Sequence, residues 1–146
     1  MTVLREVDEM TRFGAVLQRA LADGTRVRFR AAGVSMHPTI RDGEVITIAP
    51  IRAGEVSRGD VLLCRHQKRM LAHRVVGLTA RGDERLFLLQ GDAKAGCDAP
   101  VAARDVVGKV VSVCRNGREI PLCDRLARLR YAIRKSASRA KALVRR

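Results

Sequence analysis

Residues 32–43 read Ala32-Gly33-Val34-Ser35-Met36-His37-Pro38-Thr39-Ile40-Arg41-Asp42-Gly43, and two glycines and a proline punctuate this stretch so as to fix its backbone. Gly33 can adopt backbone angles closed to other residues and lets another chain approach closely. Pro38 fixes its own φ and pushes His37 out of the α region. Ser35 is thereby set on a rigid, exposed corner, where a hydroxyl can meet a carbonyl at a set angle while backbone N–H groups face the developing oxyanion. Ordinary turns and helix caps share this composition, so the chemical reading depends on what surrounds the serine.

Upstream, Arg26-Val27-Arg28-Phe29-Arg30-Ala31 alternates with period two, the mark of a strand with one face buried, and delivers the chain to Gly33 and Ser35. Before that strand, Met10, Phe13, Leu17 and Leu21 recur at helical spacing within residues 7–22, and Asp23-Gly24 supplies a stop. Downstream, strands are predicted over 44–49, 60–66, 70–78, 84–90 and 106–114, with a short last one over 119–122. Their separators carry turn chemistry throughout: Arg41-Asp42-Gly43, Arg52-Ala53-Gly54, Arg58-Gly59-Asp60, Arg81-Gly82-Asp83 and Asn116-Gly117. Many short strands with Gly-Asp turns predict a compact, mostly β domain with a short N-terminal helix. The chain has 146 residues, enough for one domain with a modest core, and with no Trp, one Tyr and three Phe that core must be built from Val, Leu, Ile and Ala. Repeats, low-complexity runs and a helix-turn-helix signature are absent from the sequence.

Two later stretches bear on the serine. Residues 71–77 read Leu-Ala-His-Arg-Val-Val-Gly, and 90–98 read Gln-Gly-Asp-Ala-Lys-Ala-Gly-Cys-Asp. A serine hydroxyl becomes a useful nucleophile only when a base within hydrogen-bond reach takes its proton, and imidazole suits the task because it titrates near neutrality. A carboxylate then fixes the imidazole tautomer. Five blocks occur in order: Ser-Met-x-Pro-Thr (35–39), Arg-Gly-Asp-Val (58–61), His-Arg-Val-Val-Gly (73–77), Gly-Asp-Ala-x(4)-Asp (91–98) and Val-Val-Gly-Lys-Val (106–110). Together they resemble the type I signal peptidases and the superfamily these share with LexA-type repressors, over about residues 25–115. Bacterial signal peptidases usually carry a lysine base just before Arg-Val. The archaeal and endoplasmic-reticulum-like branch has histidine there, and this chain has His73.

The resemblance implies a signal-peptidase/LexA-like β domain and a serine endopeptidase that cleaves an extended signal- or leader-like peptide. Ser35 would be the nucleophile and His73 the base. Asp98 takes the position of the triad acid; Asp92, at the Gly-Asp position, either orders the site or serves as the acid itself. Gly33 stands where some relatives place a hydroxyl that assists the oxyanion, so here backbone N–H groups must provide it. By analogy Met36 and Leu71 border a pocket for a small side chain, and His37 lines the substrate groove. His66 reads as a strand or surface residue, and Asp60 and Asp83 as turn residues. No cofactor is implied. Cys64-x-His66 is too sparse for a metal site, and the four cysteines match no CxxC pair, so reduced thiols and no metal are expected.

Net charge is +14 with an isoelectric point near 11.2, and +8 of that lies beyond residue 120. There Leu122, Leu126, Leu129, Ile133, Ala137, Ala140 and Leu143 recur at helical spacing among Arg and Lys, predicting a basic amphipathic C-terminal helix. Its expected partner is an anionic membrane surface, with nucleic acid and the protein body as alternatives. The expected organisation is thus an N-terminal helix (1–24), a peptidase-like domain (25–120) and the basic helix (121–146). No run approaches the ~18 apolar residues of a membrane span, and the acidic, broken N-terminus does not read as a secretory signal. The expected location is cytoplasmic, peripheral at the membrane face. Two rival readings are a peptidase that processes a cytosolic precursor or itself, and a binding module without turnover.

Overall fold

A computed structural model describes residues 2–122 together with Ile133 and Ser136, with side chains from Arg12 onward. Helix α1 (Thr2–Ala22) is followed by strands β1 (Val27–Arg30), β2 (Val45–Ala49), β3 (Val61–His66), β4 (Arg69–Arg81), β5 (Glu84–Gln90), β6 (Val101–Ala102), β7 (Val106–Arg115) and β8 (Arg118–Pro121). All eight strands form one antiparallel sheet in the order β1-β2-β7-β3-β4-β5-β6, with β8 on the edge of β7 beyond β3. The protein is mostly β, with one N-terminal helix.

The helix ends as its sequence directs. The N–H of Thr25 reaches the carbonyl of Ala20 at 3.0 Å and that of Gly24 reaches Leu21 at 3.0 Å, a pair of closing bonds that needs the left-handed φ of +80° at Gly24. Leu17 and Leu21 are buried on the sheet, and truncating Leu17 to Ala would cost about 2–5 kcal/mol. The helix can lie this close because β7 has glycine at 108, where a Cβ would come within 2.6 Å of Ile48 Cγ2 and 3.2 Å of Leu21 Cδ1. Phe13 adds an edge-to-face contact with Phe29 of β1 at 5.3 Å.

Strand β3 shows why a core fits this small chain. Val61 and Leu63 enter one cluster with Leu17, Ile46, Ile48 and Val110, while Leu62 and Cys64 enter a second with Val75, Phe87 and Leu89. Both faces of β3 are buried, so the sheet wraps over two apolar fillings, aliphatic in the main with Phe87 buried in the second. The Asn116-Gly117 turn joins β7 to β8 with both residues at positive φ, 51° and 73°, the geometry of a two-residue I′ hairpin.

Several boundaries differ from the sequence expectation. The helix starts at Thr2, inside the expected 1–24 segment and ahead of the apolar spacing over 7–22, and β4 runs to Arg81 rather than 78. Strand β6 escaped because two residues are too few to show a period. Arg52-Ala53-Gly54, read as a turn, leads into a single 3-10 turn over Ala53–Glu55. The expected C-terminal helix lies outside the described residues except at Ile133 and Ser136, both helical and exposed.

Candidate active site

The polypeptide brings Ser35, His73 and Asp98 together from three separate segments. His73 lies on β4 opposite Leu62 of β3, at the place where β4 changes partners: pairing with β3 ends at Arg74 and pairing with β5 begins there. Its imidazole is fully buried. Nε2 stands 2.9 Å from Ser35 Oγ, and Nδ1 is hydrogen-bonded to Asp98 Oδ2. An ionised carboxylate can only accept, so Nδ1 carries the proton and the Nε2 lone pair faces the serine O–H. The ring is thus held in the tautomer that can take a proton from Ser35.

Asp92 has a different set of contacts. Arg74 Nε donates to Asp92 Oδ1 at 2.9 Å and Arg74 NH2 to Oδ2 at 2.8 Å, and both side chains are almost wholly buried. The Thr39 hydroxyl donates to the same Oδ2, and Arg74 NH1 donates to the carbonyl of Gly59 at 2.8 Å. This bidentate pair is a tie between strand and loops, and its geometry leaves the imidazole contact to Asp98.

The segment 91–98 closes on the serine loop from the other side. The N–H of Ala93 donates to the Ser35 carbonyl at 2.9 Å, and that of Asp92 donates to Met36 Sδ at 3.4 Å. Gly91 makes the approach possible: a Cβ there would stand 2.6 Å from the Ser35 carbonyl oxygen and 3.2 Å from His73 Nε2. The sequence places Gly91 at the head of the Gly-Asp block without giving it a role, and the structure supplies one in this close backbone contact.

The remaining residues singled out from sequence fall as follows. Gly33 is exposed at φ +98°, its N–H donating to Asp42 Oδ1 at 2.8 Å. Among the described residues no acceptor takes the amide N–H of Ser35. Met36 is buried in the first core cluster, so it forms the floor beneath the serine. Leu71 is half-buried on β4, and His37 is exposed with its N–H turned to the Val34 carbonyl at 3.1 Å. Asp60, expected in a turn, is buried, takes the N–H of Ser57 at 2.9 Å and pairs with Lys109 Nζ at 3.2 Å. Burial, with Asp105 nearby, pushes the Cys64 thiol up to about 12, so it stays protonated at neutral pH.

The serine loop is also braced from β7. Arg115 donates to the carbonyls of Pro38 and Thr39 at 3.2 and 3.3 Å and, through Nε and NH2, to both oxygens of Glu44 at 2.6 and 2.7 Å. The Arg115 hydrogen bond holds the Glu44 carboxyl below the ordinary carboxylate range, with burial opposing and the N–H of Arg41 assisting.

A serine hydroxyl, an imidazole and a carboxylate joined in one hydrogen-bonded chain on an antiparallel β domain form the constellation used for nucleophilic acyl transfer. No protein-family model matches the chain. Among curated proteins, Signal peptidase I W of Bacillus subtilis (strain 168) is 35% identical to it over 75 residues, 49% of this chain and 40% of that protein. The relationship is a signal peptidase I-like one, and the chain spans about two fifths of the length of the curated relative it matches.

Proposed function

We propose that this protein is a serine endopeptidase of the signal peptidase type, working by a Ser-His-Asp mechanism on an extended, signal- or leader-like peptide. The observation that carries the reading is the hydrogen-bonded chain from Ser35 Oγ through His73 to Asp98. Nε2 of His73 takes the serine proton as Oγ attacks the scissile carbonyl carbon. Asp98 holds Nδ1–H and stabilises the imidazolium that forms. The oxyanion is met by backbone N–H groups, that of Ser35 among them. The imidazolium then gives its proton to the leaving amine, and water, activated by the same nitrogen, releases the acyl group from Ser35. Asp92 acts as an ordering residue through Arg74 and Thr39.

Residues 69–73 of β4 are paired to β3 on one side, and on the other side pair with no strand among the described residues. An extended substrate backbone can add itself along that edge beside Ser35. The basic segment 122–146 would hold the enzyme peripherally at the cytoplasmic face of an anionic membrane; among the described residues no helix is long and apolar enough to cross one.

The test is labelling by a fluorophosphonate probe, followed by peptide mapping. The expected result is one adduct on Ser35 that is lost in Ser35→Ala and strongly slowed in His73→Ala. A folded wild-type protein that takes no label is a binding module instead.

A further inference from the structure

The Ser35–His73–Asp98 chain ends in a second contact that the triad reading does not use. Asp98 Oδ2 faces Nδ1 of His73, and its other oxygen, Oδ1, stands 3.7 Å from Lys94 Nζ. The lysine is built into place: its N–H donates to the Gly91 carbonyl at 3.0 Å, and its own carbonyl accepts from Gln90 Nε2 at 2.8 Å. Its Cγ lies over Gly91, 3.3 Å from where a Cβ on that residue would stand. The Lys94 side chain is half exposed. Asp98 is 14% exposed at its side chain while the imidazole is fully enclosed.

A partly wet carboxylate can turn about its terminal torsion, and water competes for its oxygens. The backbone of Asp98 is fixed by its N–H on the Leu89 carbonyl at 2.8 Å, which leaves the carboxylate rotation to be settled by whatever holds each oxygen. We propose that Lys94 is a positioning residue for the candidate triad: its ammonium holds Oδ1 outward and so keeps Oδ2 on Nδ1 of His73. This inference rests on the serine peptidase reading for its consequence in catalysis, although the contact itself is independent of turnover. Because the ammonium is half exposed, the attraction is screened and its effect modest.

Three variants separate charge from packing: Lys94→Arg, Lys94→Met and Lys94→Glu. The first readout is the proton signal of His73 Nδ1–H and its exchange with water, measured by NMR on the full chain, which needs no activity. Lys94→Met is expected to speed that exchange about 3- to 10-fold, Lys94→Glu more, and Lys94→Arg less than about 2-fold. Salt at about 0.5 M should speed exchange in the wild type and leave Lys94→Met unchanged. The second readout is kcat against KM on a cleaved peptide, where Lys94→Met should lower kcat by the same factor at constant KM. Equal exchange in wild type and Lys94→Met overturns the proposal, as does a Lys94→Arg variant as impaired as Lys94→Met. If the NMR ordering holds while no variant, wild type included, is labelled at Ser35, the peptidase reading fails and the positioning role stands.

Discussion

The loop that carries Ser35 and the strand that carries His73 are held by opposite means. His73 is fixed by strand pairing with β3 and by complete burial, so its position is a property of the sheet. The serine loop has few apolar anchors, Met36 and Ile40, and is otherwise tied by polar reach from distant residues: Arg115 on its carbonyls, Asp92 on Thr39, the Ala93 N–H on Ser35 itself. Packing tolerates small surface changes and fails by loss of stability. Polar ties fail one at a time and act on the position of the nucleophile, and a buried one, such as Asp92 with Arg74, carries stability as well.

That contrast is sharpest at the reacting groups. Ser35→Ala should abolish peptide cleavage with an unchanged melting temperature, and His73→Ala should reduce cleavage by about 10³- to 10⁶-fold. Because His73 is buried, its removal also strands the Asp98 acceptor, so His73→Ala should lose about 1–3 kcal/mol by denaturant titration, unlike the serine variant. Unchanged turnover in purified His73→Ala would break the assignment and turn attention to His37 or to Lys68, exposed in the turn between β3 and β4.

The two aspartates should split along the same line. Asp98→Asn is expected to keep the fold and lower kcat by about 10⁴-fold, since an amide favours the wrong imidazole tautomer. Asp92→Asn leaves the buried Arg74 without its counter-charge and should cost about 3–5 kcal/mol of stability, read in paired melting and turnover measurements. A folded, inactive Asp92→Asn beside a fully active Asp98→Asn would reverse the two roles.

Gly91→Ala should come next, with activity down about 10²-fold, because a Cβ placed 2.6 Å from the Ser35 carbonyl oxygen must displace backbone. A crystal structure of the variant would show which loop gives way. The smallest effect concerns acid. Glu44 has its carboxyl held low by Arg115, so its contribution to stability is complete above the unfolded value near 4.5 and is lost as pH falls below that, through the lowered folded value. Melting scans between about pH 6 and 3 should therefore show a steeper decline for wild type than for Glu44→Gln.

How much of this was legible in the chain differs between the two regions as well. Alternation marked β1, and turn residues between apolar runs located the other long strands; β3 writes no alternating period because both of its faces are buried. The pairing of β2 with β7, which brings Val45 opposite Cys114, has no local signature. The resemblance carried by the five blocks pointed to Ser35, His73 and Asp98, with Asp92 as the alternative acid, and the fold brings the first three side chains within hydrogen-bond reach. It held Gly91 without a role and did not point to Lys94 or Arg115, whose contacts depend on what stands opposite them. Asp60 does close a turn, with its N–H on the Ser57 carbonyl at 3.1 Å; what a Gly-Asp pair does not write is whether the carboxylate faces water or, as here, is buried against Lys109. Met36, which the motif sets at the pocket's border, is buried beneath the serine with its Sδ taking the Asp92 N–H.

The Arg115 brace also sets a schedule. It joins residues 76 and 77 positions apart in the chain, so the nucleophile loop cannot be clamped until β7 has been synthesised. At ~5–20 residues per second, residue 115 leaves the ribosome roughly 4–16 seconds after residue 35. The β3–β4 and β4–β5 hairpins, joined by short turns, can form within that interval. The base can therefore be seated on its strand before the hydroxyl is fixed beside it, and a nascent chain that already holds its histidine still lacks the Arg115 brace on its serine loop.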